Sequence, residues 1–348
     1  MMHDGGNLRR LRRSGPVDRN ALELVKQLSA SYFVPRALHV AAELGVADHL
    51  GDAPTRLAEL ARATGADEDA LGRILRLLAA QGVFALERRA VRHTPASELL
   101  RSDHPASLRD FVRMFGLPVF WRPAEELIHA VRTGEAAAPR AFPGRGFWGY
   151  LEDHPDAARL FDAAMAAKSR APIGAILRSH DFSRYRTVAD IGGGQGHLLR
   201  AVLEAHPGLT GVLFDLPHVI EAARTLPGST ERLAFQAGDF FRDELPACDA
   251  YLMMTVLHDW PDGEARRILT ALRRAAPPHA RLLVVETRIG AEAAGLWPVL
   301  LDVVMLALFA GRERSAEEYR ALLHEGGFEL VGVTETEAGF SIFEAVPA

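Results

Sequence analysis

At 348 residues, with 48% hydrophobic and 24% charged side chains, the chain is long enough for two soluble globular domains with substantial cores. A net charge of −5 argues against general affinity for nucleic acid or an anionic membrane. The lone Cys248 excludes an internal disulfide framework and a thiolate metal cluster, and fits a cytoplasmic location.

Residues 1–20 hold Arg9, Arg10, Arg12 and Arg13 with no apolar segment behind them, so they read as a flexible tail rather than a secretion signal. From 21 to 101 the pattern is helical and compact. Leu38, Ala41, Ala42 and Leu44 form an apolar face before Gly45. Thr55 is expected to cap a helix over 57–61, and Asp67 a helix carrying Leu71, Ile74, Leu75 and Leu78 at helical spacing. Short strands at 83–86 and 90–94 follow around a charged turn, which makes the segment a winged-helix-like module. Such a module can bind DNA, but its second helix opens with Asp67, Glu68 and Asp69, the wrong sign for phosphates. Interaction or dimerisation is the better reading. Residues 102–180 form a helical connector rich in large apolar side chains, among them Phe111, Met114, Phe115, Phe120, Trp121, Phe147, Trp148, Phe161 and Met165. Core packing and the lining of an apolar pocket have equal claims on them.

From 181 to 348 strands and helices alternate. Strands are predicted at 187–191, 210–215, 233–237, 249–255 and 281–286, with helices such as 263–276 between them. That alternation argues for an α/β fold, a parallel sheet covered on both faces. After a helix at 316–325, strands at 328–336 and 340–346 form an antiparallel hairpin that closes the sheet. The apolar run 296–310, interrupted by Asp302, is too short to span a bilayer and reads as a buried helix.

The first predicted strand of this region ends in Asp190 and runs into Gly192-Gly193-Gly194-Gln195-Gly196-His197; the second ends in Asp215. This is the opening of a nucleotide-type fold, in which glycines permit a tight turn and a second acid suits a ribose diol. A dinucleotide fits the loop poorly. Its third glycine would fall at position 197, where His stands and predicts looser helix–strand packing, and Asp190 would repel a pyrophosphate. S-adenosylmethionine carries an ammonium and a sulfonium and no phosphate, so it reverses that sign and still offers a diol to Asp215.

Later strand ends carry Asp239, His258 and Glu286, and ligands in open parallel sheets bind beyond those ends. A His flanked by carboxylates, here Glu286 and Glu313, can accept a proton and be stabilised as imidazolium. Deprotonating a phenol of pKa about 10 by imidazole is roughly 5 kcal/mol uphill. An alkanol near the ~15.7 of water is about twice as hard, which favours an acidic hydroxyl.

With these residues in place the chain resembles the S-adenosylmethionine-dependent O-methyltransferases of the plant caffeic acid type, in their bacterial branch of aromatic polyketide and antibiotic pathways. The resemblance rests on 37–45, Thr94-Pro95-Ala96-Ser97, the glycine loop, Gly238-Asp239-Phe240, Leu257-His258-Asp259-Trp260 and Arg312-Glu313-Arg314. It implies a Rossmann-like class I methyltransferase sheet with a terminal antiparallel hairpin, preceded by a mainly α-helical, winged-helix-like dimerisation domain. It implies a homodimer that swaps N-terminal helices, each subunit contributing to the other's pocket. Gly192 would lie along the methionine part of the cofactor, Ser169 would reach its carboxylate and Asp215 its ribose. Asp239 and Phe240 would hold the adenine with Trp260 stacked nearby, and Asp190, Gly194, Leu216, Gly238 and Met254 would complete the set. His258 would be the general base between Glu286 and Glu313. Phe161, Met165, Met305 and Phe309, with Trp121, Trp148 and Asp259, would line the acceptor site, and no metal is required. Met254 stands where many relatives have Lys, and Ala310 replaces the first glycine before Gly311. The implied reaction is in-line transfer to a phenolic hydroxyl of an aromatic natural-product intermediate, releasing S-adenosylhomocysteine. Methylation of carbon or nitrogen, a member that no longer methylates, and a cofactor-sensing DNA-binding protein are the alternatives.

Overall fold

The computed structural model describes residues 18–226, 231–290 and 295–348, the side chains of 169–171 excepted. The expected tail therefore lies outside the described residues up to position 17, while Arg19 and Asn20 already belong to a helix, Arg19–Ala30. Asp18 starts that helix by accepting hydrogen bonds from the backbone N–H groups of Asn20 and Ala21. Two compact units follow from the contact pattern, Met1–Ser97 and Glu98–Ala348.

In the first unit, strands β1 (Thr55–Arg56), β2 (Phe84–Glu87) and β3 (Ala90–His93) form an antiparallel sheet in the order β1-β3-β2. The helix Glu68–Ala80 is capped as expected, with Asp67 accepting from the N–H of Ala70 at 2.8 Å, and it buries Leu71, Leu75 and Leu78. Thr55 does not cap the preceding helix Leu57–Thr64. It pairs with Val91 in the sheet, and the Leu57 N–H donates instead to the Arg89 carbonyl at 2.8 Å. Sheet pairing satisfies the helix start that a side-chain cap would otherwise serve.

In the second unit, β4 (Thr187–Ile191), β5 (Thr210–Asp215), β6 (Leu233–Ala237), β7 (Ala250–Met254), β8 (Arg281–Glu286), β9 (Phe328–Glu335) and β10 (Ser341–Pro347) form one sheet. Its order is β6-β5-β4-β7-β8-β10-β9; the first five strands are parallel, and β10 runs antiparallel to both β8 and β9. Burial on both faces explains the near-continuous apolar strands. Along β8, Leu282 and Val284 enter one core with Ile268, Leu269, Leu322 and Phe343. Leu283 and Val285 enter the other with Leu199, Val202, Leu252 and Ile342. The chain runs β4 to β6 in one direction, then crosses back to place β7 on the far side of β4. That reversal opens a crevice beyond the carboxyl ends of β4 and β7.

The helix Leu296–Phe309 departs from its expected burial. Leu301, Met305, Ala307 and Leu308 are buried, but Leu296, Trp297, Val299, Leu300 and Val303 are exposed in the single chain. An apolar run cannot show whether its second face meets its own chain or another, because both bury the same surface. Among the described residues no helix is long and apolar enough to cross a membrane.

Candidate active site

The glycine loop after β4 is shaped by left-handed backbone at Gly192, Gly194 and Gly196, with φ of 69°, 59° and 76°. A Cβ at Gly196 would lie 2.9 Å from Leu213. The close helix–strand approach expected to be lost at His197 is therefore supplied one residue earlier. Asp215 turns back onto this loop, accepting from Gly194 N–H at 2.7 Å through one oxygen and from Leu216 N–H at 2.7 Å through the other. Asp190 is buried, its Oδ1 has no hydrogen-bond partner among the described residues, and burial together with the Asp215 charge pushes its carboxyl up to about 7. Asp162, which no motif marked, is raised by burial and also feels the Asp215 charge.

On the next rim, Phe240, Phe241 and Trp260 form an edge-to-face cluster, with Trp260 at 4.7 Å from Phe241 and 5.8 Å from Phe240. Asp239 accepts from the Phe241 N–H at 2.9 Å. Gly238 carries no Cβ because one would meet the Phe214 ring at 2.7 Å. Leu216 is 41% exposed, and the Met254 side chain packs into the core cluster that contains Leu252 and Val285. The side chain of Ser169 lies outside the described residues.

Beyond β7 the chain turns through Thr255, whose φ of 52° strains a β-branched residue, into the short helical turn Leu257–Asp259. His258 is buried there. Its Nδ1 lies 2.7 Å from Glu313 Oε1, and Glu313 Oε2 in turn accepts from the Thr287 hydroxyl at 2.7 Å. In the neutral imidazole that network puts the proton on Nδ1 and the lone pair on Nε2; in the imidazolium Nε2 faces Asp259 Oδ1 at 3.4 Å. Burial disfavours the imidazolium, but the Glu286, Asp259 and Glu313 carboxylates outweigh it and lift His258 to about 9. An NMR titration of the cofactor-free protein is expected to place the His258 midpoint well above the ordinary ~6.5. The Glu313→Gln change moves it down, because a neutral amide no longer favours the cation. A wild-type midpoint at or below the ordinary value contradicts this arrangement.

Glu286 is placed differently from a simple flanking acid. Its Oε1 accepts from the N–H groups of Val256 at 3.0 Å, Leu257 at 2.9 Å and His258 at 3.4 Å, while Oε2 stands 3.7 Å from His258 Nδ1. It builds the turn that carries the histidine. Arg314, also fully buried, holds the same turn from outside by donating to the carbonyls of Leu257 and Trp260 at 2.9 and 2.8 Å and to Asp262. Ala310 ends the helix Leu296–Phe309 in a left-handed conformation, φ 56°, where glycine is the usual residue. Gly311 beside it has no room for a side chain, since a Cβ would lie 2.2 Å from the His258 carbonyl oxygen. Gly311→Ala is accordingly expected to cost about 1–3 kcal/mol and to lower the urea midpoint; an unchanged midpoint contradicts the close approach.

His258 opens onto a narrow cavity of about 70 Å³ lined by the expected Phe161, Met165, Asp259, Met305 and Phe309. That volume is below the ~300–1,000 Å³ range of small-molecule sites, so the side chains lining it must move apart to admit an aromatic ring. Trp121 and Trp148 are not part of this lining; Trp148 stacks against Phe309 from behind at 5.6 Å and is 41% exposed. Trp297, Leu301, Val304 and Leu308 join the lining, and their helical spacing with Met305 was a readable signal. Lys168 and Thr255 also line it and had no motif to mark them.

Residues 124–329 match the O-methyltransferase domain and residues 26–103 the O-methyltransferase dimerisation domain. The chain belongs to the O-methyltransferase family. The phenazine O-methyltransferase PhzM of Lysobacter antibioticus is 39% identical over 96% of this chain and 98% of that protein. The O-methyltransferase NcsB1 of neocarzinostatin biosynthesis was solved in complex with S-adenosylmethionine and 2-hydroxy-5-methyl naphthoic acid. It is 34% identical, with a TM-score of 0.79 over 96% of this chain and 100% of that one. The phenazine-1-carboxylate N-methyltransferase of Pseudomonas aeruginosa is 35% identical over 86% of this chain and 90% of that protein. The present protein is thus an S-adenosylmethionine-dependent methyltransferase. The residues at the β4 crevice fit that cofactor: the backbone loop leaves no Cβ in its way, and Asp190, with an unpartnered buried oxygen, suits a cation. Among the described residues no group of His, Cys, Asp and Glu is arranged to hold a metal ion.

Proposed function

We propose that this methyltransferase alkylates a phenolic hydroxyl of an aromatic natural-product intermediate, with His258 as general base. The observation that carries this reading is the buried Glu313–His258 pair at 2.7 Å on the wall of an aromatic- and Met-lined cavity. Bound S-adenosylmethionine supplies an electrophilic methyl group on a sulfonium. The loop residues Gly192 and Gly194, with Asp190, Asp215 and Leu216, would hold it on one side, and Gly238, Asp239, Phe240, Met254 and Trp260 on the other; Ser169 would take its carboxylate. Phe161, Met165, Met305 and Phe309 orient the ring and exclude water. His258 Nε2 takes the hydroxyl proton, and Glu313 stabilises the imidazolium that results. A cation held nearby in the crevice opposes that imidazolium, so it lowers the His258 pKa toward the range in which the neutral base is available.

Nitrogen methylation is the second reading, favoured by the N-methyltransferase among the relatives. A buried base oriented by a carboxylate speaks for oxygen. An aromatic amine attacks through its lone pair before it loses a proton, whereas a neutral phenol needs the proton removed. Incubation with S-adenosylmethionine and matched hydroxy- and aminoarenes tests this, with product position read by NMR. Methyl on oxygen supports the proposal, and methyl on nitrogen or carbon alone overturns it.

The working unit in this reading is a cytoplasmic homodimer. The helix Arg19–Ala30 leaves Leu22, Leu24, Val25 and Leu28 exposed in the single chain, and the first unit matches a dimerisation domain. Glu68 at the start of the helix Glu68–Ala80 is paired with Arg89.

A further inference from the structure

The acceptor cavity is mostly apolar; besides Thr255 its polar lining is three ionisable side chains, His258, Asp259 and Lys168. Lys168 is unusual in this chain, in which Lys26 and Lys168 are the two lysines among 40 basic residues. It lies on the helix Pro155–Ser179, seven residues after Phe161 and three after Met165, so the three share one face of that helix. At 1.5 Å per residue its backbone stands about 4.5 Å beyond that of Met165. A ring held by Phe161 and Met165 would therefore direct one substituent toward the ammonium.

That ammonium has no hydrogen bond or ion pair within the chain's described residues, although Asp259 lines the same cavity and feels its charge. Asp259 is shared with His258, whose Nε2 lies 3.4 Å away and competes for it whenever the imidazole is protonated. A cation among aromatic and thioether side chains is costly unless an anion meets it. A flexible stem with a compact, rotatable charge suits an anion carried by a ligand rather than a fixed partner in the fold.

We propose that Lys168 is a specificity-determining residue that binds a carboxylate on the aromatic ring of the acceptor, so that the preferred substrates are hydroxyaryl carboxylic acids. The inference rests on the reading that this cavity takes the methyl acceptor. A charge-assisted contact of this kind is expected to favour the acid over the same phenol lacking the carboxylate by roughly 10–100-fold.

The test uses 3-hydroxy-2-naphthoic acid and 2-naphthol as a matched pair. Their dissociation constants are measured calorimetrically for the full-length protein saturated with S-adenosylhomocysteine, and their turnover is followed separately with S-adenosylmethionine. The wild type is expected to bind the acid more tightly, Lys168→Met to collapse the ratio of the two constants toward one, and Lys168→Arg to retain part of it. A wild-type ratio near one, or a Lys168→Met variant with an unchanged ratio, overturns the proposal. Weakening both ligands equally, with a displaced His258 titration, also overturns it and makes Lys168 a partner of the Asp259–His258 pair. Lys168-dependent binding of the acid with no methyl transfer to either compound would reject the functional reading while leaving the carboxylate site in place. Thermal unfolding of each variant, with S-adenosylhomocysteine bound, separates loss of the contact from loss of the fold.

Discussion

His258→Ala is expected to lower kcat by ~10²–10⁴-fold while leaving the dissociation constant for S-adenosylhomocysteine close to wild type. The separation of the two effects follows from geometry. The imidazole stands on the turn after β7 and faces the acceptor cavity, whereas the glycine loop and Asp215 belong to the ends of β4 and β5. Removal of the ring leaves Glu313 without its Nδ1–H donor, but that carboxylate keeps the Thr287 hydroxyl. The remaining rate would come from holding the two reactants together. Steady-state release of S-adenosylhomocysteine and calorimetric binding measure the two halves. A kcat within a few-fold of wild type would remove His258 from the role of base.

The second large effect is on stability. Glu286→Ala is expected to cost about 3–5 kcal/mol, comparable to breaking a buried charged pair. Three backbone N–H groups, those of Val256, Leu257 and His258, donate to one Glu286 oxygen in a fully buried setting, and alanine leaves all three unsatisfied. Glu286→Gln keeps an acceptor oxygen in the same place and should retain most of that stability. Burial first, with neighbouring Glu313 and Asp259 adding to it, pushes the Glu286 carboxyl up to about 7 even against the His258 charge. Because that pKa is raised rather than depressed, ionisation of Glu286 weakens the fold as pH rises from the ordinary carboxylate range through about 7. The Gln variant should therefore show a flatter stability profile across that interval. Urea unfolding at several pH values reads both effects; equal midpoints for the Ala and Gln variants would show that the three hydrogen bonds carry little of the stability.

Much of the architecture was legible because it depends on local pattern. Continuous apolar runs, acids at their ends and glycines after them mark buried parallel strands and the loop between β4 and the next helix. Thus β4, β5 and β6 occupy their predicted spans without change. Thr55 misled because a cap and a sheet pairing satisfy the same backbone donor, and the pairing strand lies some 35 residues downstream. The run 296–310 misled because apolar periodicity reports that surface is buried, not against what.

In the candidate site, residue types alone singled out His258, Glu286 and Glu313, which the fold does bring together, since an acid–base function needs titratable groups near strand ends. Their division of labour was invisible in one dimension. Glu313 reaches the imidazole from 55 positions away, whereas Glu286, nearer in sequence, spends its best-placed oxygen on backbone N–H groups. Side-chain direction at these positions is set by the parallel pairing of β7 and β8 and by a glycine, Gly311, that admits no Cβ against the His258 carbonyl. Lys168 shows the same limit: on the chain it is one cation in a long helix, and only packing of that helix brings it to the cavity wall. Alternation of apolar and polar residues encodes elements and their order, because burial acts on each residue where it stands. Distances between groups far apart in the chain arise only when the sheet closes and the helices pack, and those distances separate the carboxylate that meets the imidazole from the one that holds its turn.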